Sequence, residues 1–460
     1  MAPMPLTDAM FLLAETREHP MHVGGLQLFT TPDGAGPDFL RQMHEDVLGH
    51  DEVSPLFRRR AYRSLATLGQ WAWGDDHQID LEYHVRHSAL PRPGRIRELL
   101  ALTSRLHGTL LDRNRPLWEA HLIEGLEGGR FAVYTKIHHS MFDGVAALRL
   151  LGRALSEDPD ERDAPPPWAL PPRPRRGPTG TGAADALSLP VRAATGTLRA
   201  ATEMVGVGQA LVTMVQDGLR DQAASLPFQA PRTMLNVPIT GARRFAAQSW
   251  SLDRVKRVAK DTESTLNDIV LAMSAGALRT YLDEQDELPE HPLVAMVPIA
   301  LRKAEDSDAG GNAVGTILCN LGTDLADPRD RLDLIRASMT HGKDALAGLS
   351  PTQITALSAI AMAPMALGPL YRFENLMRPP FNVVISNIPG PRRPLYWNGA
   401  RLDGVYPLSI PTDGQAFNIT VTSYDQDLEF GLTGCRRRVP HLQRMLTHLE
   451  TALAELEAAT

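Results

Sequence analysis

Between residues 164 and 178 the chain reads APPPWALPPRPRRGP, where seven of fifteen residues are proline and three are arginine. Proline locks φ at about −65° and has no amide hydrogen, so neither a helix interior nor a central strand survives such a density. The run reads as a linker. It cuts the 460-residue chain into an N-terminal half (1–160), a connector (161–230) and a C-terminal half (231–460). Further along the connector, residues 187–221 are alanine-rich with apolar side chains near helical spacing, which predicts helix there.

Each half is long enough for a core of its own, and 43% hydrophobic with 22% charged residues excludes whole-chain disorder. The 54 Asp and Glu outnumber 47 Lys and Arg, a formal charge of −7, so phosphate neutralisation is not a driving force and no nucleic-acid partner is expected. Cys319 and Cys435 are the only cysteines. Two thiols make neither a disulfide framework nor a four-sulfur zinc site, and they fit a reducing compartment. The start, MAPMPLTDAMFLLAETREHP, has no cationic region and meets Asp8 and Glu15 before any long apolar run. No signal peptide is expected, and the chain is expected in the cytoplasm. An uncharged stretch, 345–371, is interrupted by Pro351, Pro364 and Pro369 and makes no spanning helix. Its apolar end, 356–371, reads either as buried core or as a surface that touches lipid.

Residues 130–138, RFAVYTKIH, alternate at period two and predict a strand. Residues 143–155 then put Val145, Leu148, Leu151 and Leu155 on one helical face, with Asp143 suited to cap its start. In the C-terminal half, strands are predicted at 244–252, 293–299, 314–321 and 381–386, a helix at 266–282 capped by Thr265, and a hairpin of 416–424 with 428–433. Strands alternating with helices predict mixed α/β layers.

The strand–turn–helix junction carries HHSMFDG, residues 138–144. Composition alone expects about 0.003 matches to His-His-x-x-x-Asp-Gly in such a chain, so the pattern is specific. A histidine with a reference pKa of about 6.5 can take a proton near neutrality and return it, as a general base that later acts as acid must. Asp143 can fix the loop by pairing with a cation, and Gly144 suits close helix packing or an unusual backbone angle. Adjacent strand residues face opposite sides, so His138 and His139 would not share an ion and no metal is expected.

Around this motif the sequence resembles the bacterial wax ester synthase/diacylglycerol acyltransferase family, within the coenzyme A-dependent acyltransferase superfamily. PMHVGGL (20–26), PLWEAHLIEGL (116–126), LNDIVLA (266–272), VPIALR (297–302) and SNIPGP (386–391) are similar to further family blocks, in the family's order. The resemblance implies two chloramphenicol acetyltransferase-like domains, sheets backed by helices, with the active site in a channel between them. It implies His139 as general base, with His138, Asp143 and Gly144 shaping the loop. Arg302 is expected to pair with Asp143, Asn267 to polarise the thioester oxygen or orient the base, Asp268 to support it, and Trp118 to pack at the channel wall. Helix capping is the alternative reading of Asn267 and Asp268. Acyl-CoA is the implied acyl donor, with no separate cofactor. Diacylglycerol or a long-chain alcohol is the implied acceptor, met at a peripheral membrane or lipid-inclusion surface. A condensation-type acyltransferase, a catalytically silent lipid-binding protein and a metal hydrolase remain alternatives.

Overall fold

The computed structural model describes residues 2–63, 69–142, 144–171, 228–300, 314–347, 349–350, 353–354 and 378–460. The predicted helix within 187–221, the 356–371 segment, Asp143 and Arg302 lie outside them. In the first half the elements are β1 (Ala2–Pro3), α1 (Leu6–Ala14), β2 (His22–Thr30), α2 (Phe39–Gly49), β3 (Arg59–Arg63), β4 (Trp71–Asp75), α3 (Leu81–His84), β5 (Val85–Ala89), α4 (Ile96–His107), β6 (Trp118–Leu126), β7 (Arg130–His138) and α5 (Gly144–Arg153). The second half contributes β8 (Arg243–Ser251), α6 (Leu252–Asp261), α7 (Leu266–Asp283), β9 (Val294–Ala300), β10 (Val314–Asn320), α8 (Pro328–Ala347), β11 (Val383–Ile388), β12 (Tyr396–Trp397), β13 (Ala400–Leu408), β14 (Phe417–Tyr424), β15 (Asp427–Cys435) and α9 (Arg444–Ala458).

These strands build two six-stranded sheets, ordered β12-β13-β2-β7-β6-β5 and β10-β9-β11-β14-β15-β8, beside a small sheet ordered β1-β4-β3. The second sheet is covered on one face by α6 to α9. Alternate residues such as Ile419, Val421, Phe430 and Leu432 point into that large apolar core, as period-two patterning requires. The hairpin turns through Asp425, whose φ of 47° suits a tight two-residue connection.

One connection was not legible in the sequence. Strand β13 leaves the second half and pairs antiparallel with β2 of the first sheet, from Arg401 opposite Thr30 to Leu408 opposite Gly24. The sheets touch where β15 crosses β13. A Cβ on Gly431 would sit 1.9 Å from the Pro407 carbonyl oxygen, so only glycine fits. A third core completes the seam, joining Leu26, Leu28, Leu99 and Tyr134 of the first half to Phe245 and Leu408 of the second.

Candidate active site

Strand β7 ends with His138 opposite His22 of β2. Directly opposed residues share a face, so both rings lie on the side to which Tyr134 and Lys136 also point. His138 is fully buried. The Ser140 amide donates to its Nδ1 at 3.1 Å, and the Ser140 hydroxyl lies 2.7 Å from the same atom. An amide can only donate, so Nδ1 is the acceptor and the ring proton sits on Nε2. That Nε2 faces Glu15 Oε1 at 3.4 Å.

Glu15 closes the C-terminal end of α1 and is 7% exposed. Its Oε1 accepts the Met21 amide at 3.2 Å, while Oε2 accepts Nε and Nη2 of Arg113 at 3.1 and 3.0 Å. Burial pushes this carboxyl up, but His138, the Met21 amide and Arg113 outweigh it and hold the group below the usual carboxylate range. The other end of the Met21 peptide completes the circuit, its carbonyl accepting the His139 amide at 2.8 Å. One carboxylate thus braces both motif histidines.

His139 leaves the strand, is half-buried, and stacks on Phe11 of α1 with ring centroids 4.2 Å apart and planes at 20°. One face of the imidazole is therefore covered and its plane is set. The next residues anchor the loop, Met141 against the cores of both neighbouring layers and Phe142 against Phe57. The Met141 amide donates to the His138 carbonyl at 2.9 Å, closing the turn into α5.

Behind this strand end lies a buried polar network with no counterpart in the sequence reading. His22 Nε2 donates to the His107 carbonyl at 2.7 Å. His107 Nε2 donates to the Ser409 carbonyl just past β13 at 3.0 Å, so its Nδ1 accepts from the Tyr134 hydroxyl at 2.8 Å. Burial holds His107 down to about 3 and His22 well below the ordinary range, so both stay neutral. Lys136 donates to the Leu106 and Thr109 carbonyls at the end of α4 and lies 3.3 Å from Glu119. Burial raises the Glu119 carboxyl, yet the His121 hydrogen bond and the charges of Lys136 and Arg86 bring it to about 2.

The remaining sequence candidates separate. Trp118 is not at an open channel wall. It has no exposed surface, stacks between His84 and Trp168, and donates Nε1 to the Phe57 carbonyl at 2.9 Å, so it is core. Gly144 has neither a positive φ nor a tight contact, since a Cβ there would meet only Ile388 Cδ1 at 4.0 Å. That neighbour is informative, because Ile388 ends β11 and brings the second sheet against the start of α5. Asp268 forms a capping box through Oδ2, while its Oδ1 is buried with no hydrogen-bond partner among the described residues. Its Oδ2 accepts the Thr265 amide and hydroxyl at 2.9 and 2.7 Å, and its own amide donates to Thr265 Oγ1 at 3.2 Å. Asn267 beside it is half-buried on the helix that backs the second sheet. Cys319 and Cys435 are free and buried, and burial pushes the Cys319 thiol up to about 12. Among the described residues no group of three or more His, Cys, Asp or Glu could hold a metal ion. No helix among them is long and apolar enough to cross a membrane.

This pair of helix-backed sheets is a fold shared with condensation domains. The first condensation domain of the CDA synthetase superposes with a TM-score of 0.58 at 14% identity, over 99% of this chain and 96% of that one, a likeness of fold alone. The family is narrower. The wax ester synthase/diacylglycerol acyltransferase catalytic domain matches residues 4–270 and the WS/DGAT C-terminal domain residues 310–457, so the chain belongs to this acyltransferase family. It is 53% identical over 454 residues to a Mycobacterium bovis protein named as a diacyglycerol O-acyltransferase, covering 98% of each. A Mycobacterium tuberculosis protein of the same name is 51% identical over 456 residues, again 98% of each. The solved wax ester synthase/diacylglycerol acyltransferase from Marinobacter aquaeolei VT8 matches with a TM-score of 0.78 at 44% identity, over 100% of this chain and 99% of that one.

Proposed function

We propose that this enzyme moves a long-chain acyl group from acyl-CoA to the hydroxyl of a diacylglycerol or long-chain alcohol, giving triacylglycerol or wax ester, with His139 as the general base. Family membership supports the acyl transfer. The observation that supports His139 is its setting: half-buried at a strand end, its backbone held by Met21 and its ring set by Phe11. Complete burial of His138, with Ser140 held at its Nδ1, supports a shaping role for that residue and leaves the base to His139.

The reaction runs in one ternary complex. His139 takes the hydroxyl proton, the oxygen attacks the thioester carbonyl, and the tetrahedral oxyanion collapses with cleavage of the carbon–sulfur bond. The imidazolium returns its proton to the departing thiolate, so ester and free thiol leave and the base is regenerated. A thiol of pKa about 8.5 leaves more readily than an alcohol, which sets the direction. No acyl-enzyme is formed. Asp143 and Arg302 are proposed as the pair that holds the loop, and Asn267 as a donor to the thioester oxygen. Work at a peripheral membrane or lipid-inclusion surface is proposed from the insolubility of both fatty chains, and a cytoplasmic setting from a sequence with only two cysteines.

Replacing His139 with alanine and following ester formation from labelled acyl-CoA tests the assignment. Loss of at least about a thousandfold in rate with an unchanged melting temperature is expected. A near-wild-type rate would remove His139 from the chemistry.

A further inference from the structure

Among the described residues three large apolar side chains stand in water: Leu13 at 60% exposure, Met10 at 43% and Leu110 at 37%. Met10 and Leu13 are three residues apart on α1 and share a face. The adjoining face buries Ala9 and Leu12 against Met4, Ala61, Trp73, Leu111 and Leu117. Leu110 immediately precedes Leu111 of that core, and Arg113 of the same loop donates to the Leu12 carbonyl at 2.9 Å, so the loop lies against α1. A single exposed leucine calls for no explanation, but Met10 and Leu13 sit on the helix whose Phe11 ring covers His139. The exposed rim carries both signs, Arg17 and Arg113 with Glu18 and Asp112, so apolar contact and not charge selects what binds.

We propose that the Met10–Leu13 face of α1, with Leu110 beside it, is where the enzyme rests on a phospholipid surface. The inference builds on the functional reading above, in which both reacting chains are fatty. An acceptor dissolved in a bilayer must leave it within reach of His139, and α1 is in contact with that ring on one face while its other side is the exposed apolar one. Resting this helix on the bilayer removes Met10 and Leu13 from water and shortens the acceptor's path to the base.

Flotation of the full chain with phosphatidylcholine vesicles carrying diacylglycerol tests this. Met10→Asp with Leu13→Asp is expected to lower vesicle partition about a hundredfold, the order set by withdrawing two large apolar side chains from lipid. Ester formation on vesicle-borne diacylglycerol should fall with it, while transfer from butyryl-CoA to butanol in free solution keeps its wild-type rate. Leu13→Trp, which adds apolar area with a polar edge, should raise partition. Unchanged flotation of the double variant overturns the proposal, and so does equal loss of both activities, which would make the outer face of α1 a folding element. A wild-type chain that floats through α1 yet acylates no alcohol would sink the functional reading and leave the surface standing.

Discussion

The end of β7 and the start of α7 both carry paired polar residues that the sequence marks out, HH and ND, and the structure treats them oppositely. At α7 the bonds are local: Asp268 and Thr265 bond to each other three residues apart, as at many helix starts. At β7 they reach across the chain. Glu15 stands 123 positions from His138 and 98 from Arg113, and His107 reaches 302 positions to Ser409. Local bonds stabilise an element. Distant ones hold one side chain at a fixed place relative to several elements, which the role proposed for His139 requires.

The sharpest way to break this contrast is to remove the brace. Glu15→Ala leaves Arg113 and His138 without their carboxylate and the Met21 amide without its acceptor. A stability loss of about 3 kcal/mol in urea unfolding is expected, the order seen when one partner of a buried pair is removed. The turnover number is expected to fall about a hundredfold through misplacement of His139. Glu15→Gln, which keeps the acceptor for Met21, should recover part of the rate. If stability falls but the rate per folded molecule does not, the β7 network is as purely structural as the α7 cap.

Much of the frame could be read beforehand because it is written in local pattern. Alternation over 130–138 matches β7, Thr265 caps α7, and the 416–433 hairpin pairs as expected. The buried face of α5 differs in detail, centring on Ala147, Leu150 and Leu151, because the helix lies close on the sheet at Gly25, where a Cβ would meet Leu151 Cδ1 at 2.9 Å. What could not be read was long-range. Glu15 reads as one more charge near the N-terminus, no spacing links His22 to His107, and β13 belongs by position to the other half. Trp118 was expected at a channel wall because its block resembles the family's. Nothing in the order of residues says that Trp168, from the proline-rich run, stacks on it.

A second long-range contact gives the contrast a pH signature. Glu429 of β15 is fully buried, accepting from Ser249 Oγ of β8 at 2.6 Å, and Ser249 in turn lies 2.9 Å from the Tyr406 hydroxyl of β13. Burial pushes this carboxyl up to about 8, so the folded protein holds a proton that the unfolded chain releases at its ordinary value near 4.5. Between those limits the native state binds the extra proton. Stability from this group is therefore complete below about 4.5 and lost as pH rises to about 8, by up to about 1.4 kcal/mol per pH unit. Glu429→Gln imitates the protonated acid, so the variant should lack this fall and gain on the wild type from pH 5 to 8 in urea midpoints. Parallel curves for the two proteins would mean that the carboxyl ionises without cost and that the β13 seam is not closed by a neutral acid.

The smallest effect belongs to the local motif. Asp268→Ala removes the reciprocal half of the capping box while leaving Thr265 Oγ1 as acceptor for the residue-268 amide, and about 1 kcal/mol of stability should go with it. If Asp268 acts only through the Oδ2 bonds to Thr265, the rate with saturating acyl-CoA should stay within about twofold of wild type. Asn267→Ala is the companion measurement. If Asn267 donates to the thioester oxygen, its removal lowers turnover with little change in stability, the reverse of its neighbour's pattern. Two adjacent residues would then divide the work of the ND pair, one holding the helix start and the other facing the reaction. A fall in turnover for Asp268→Ala matching that for Asn267→Ala would instead mean that the α7 start acts as a unit, and the distinction between local and distant bonding would no longer separate scaffold from chemistry.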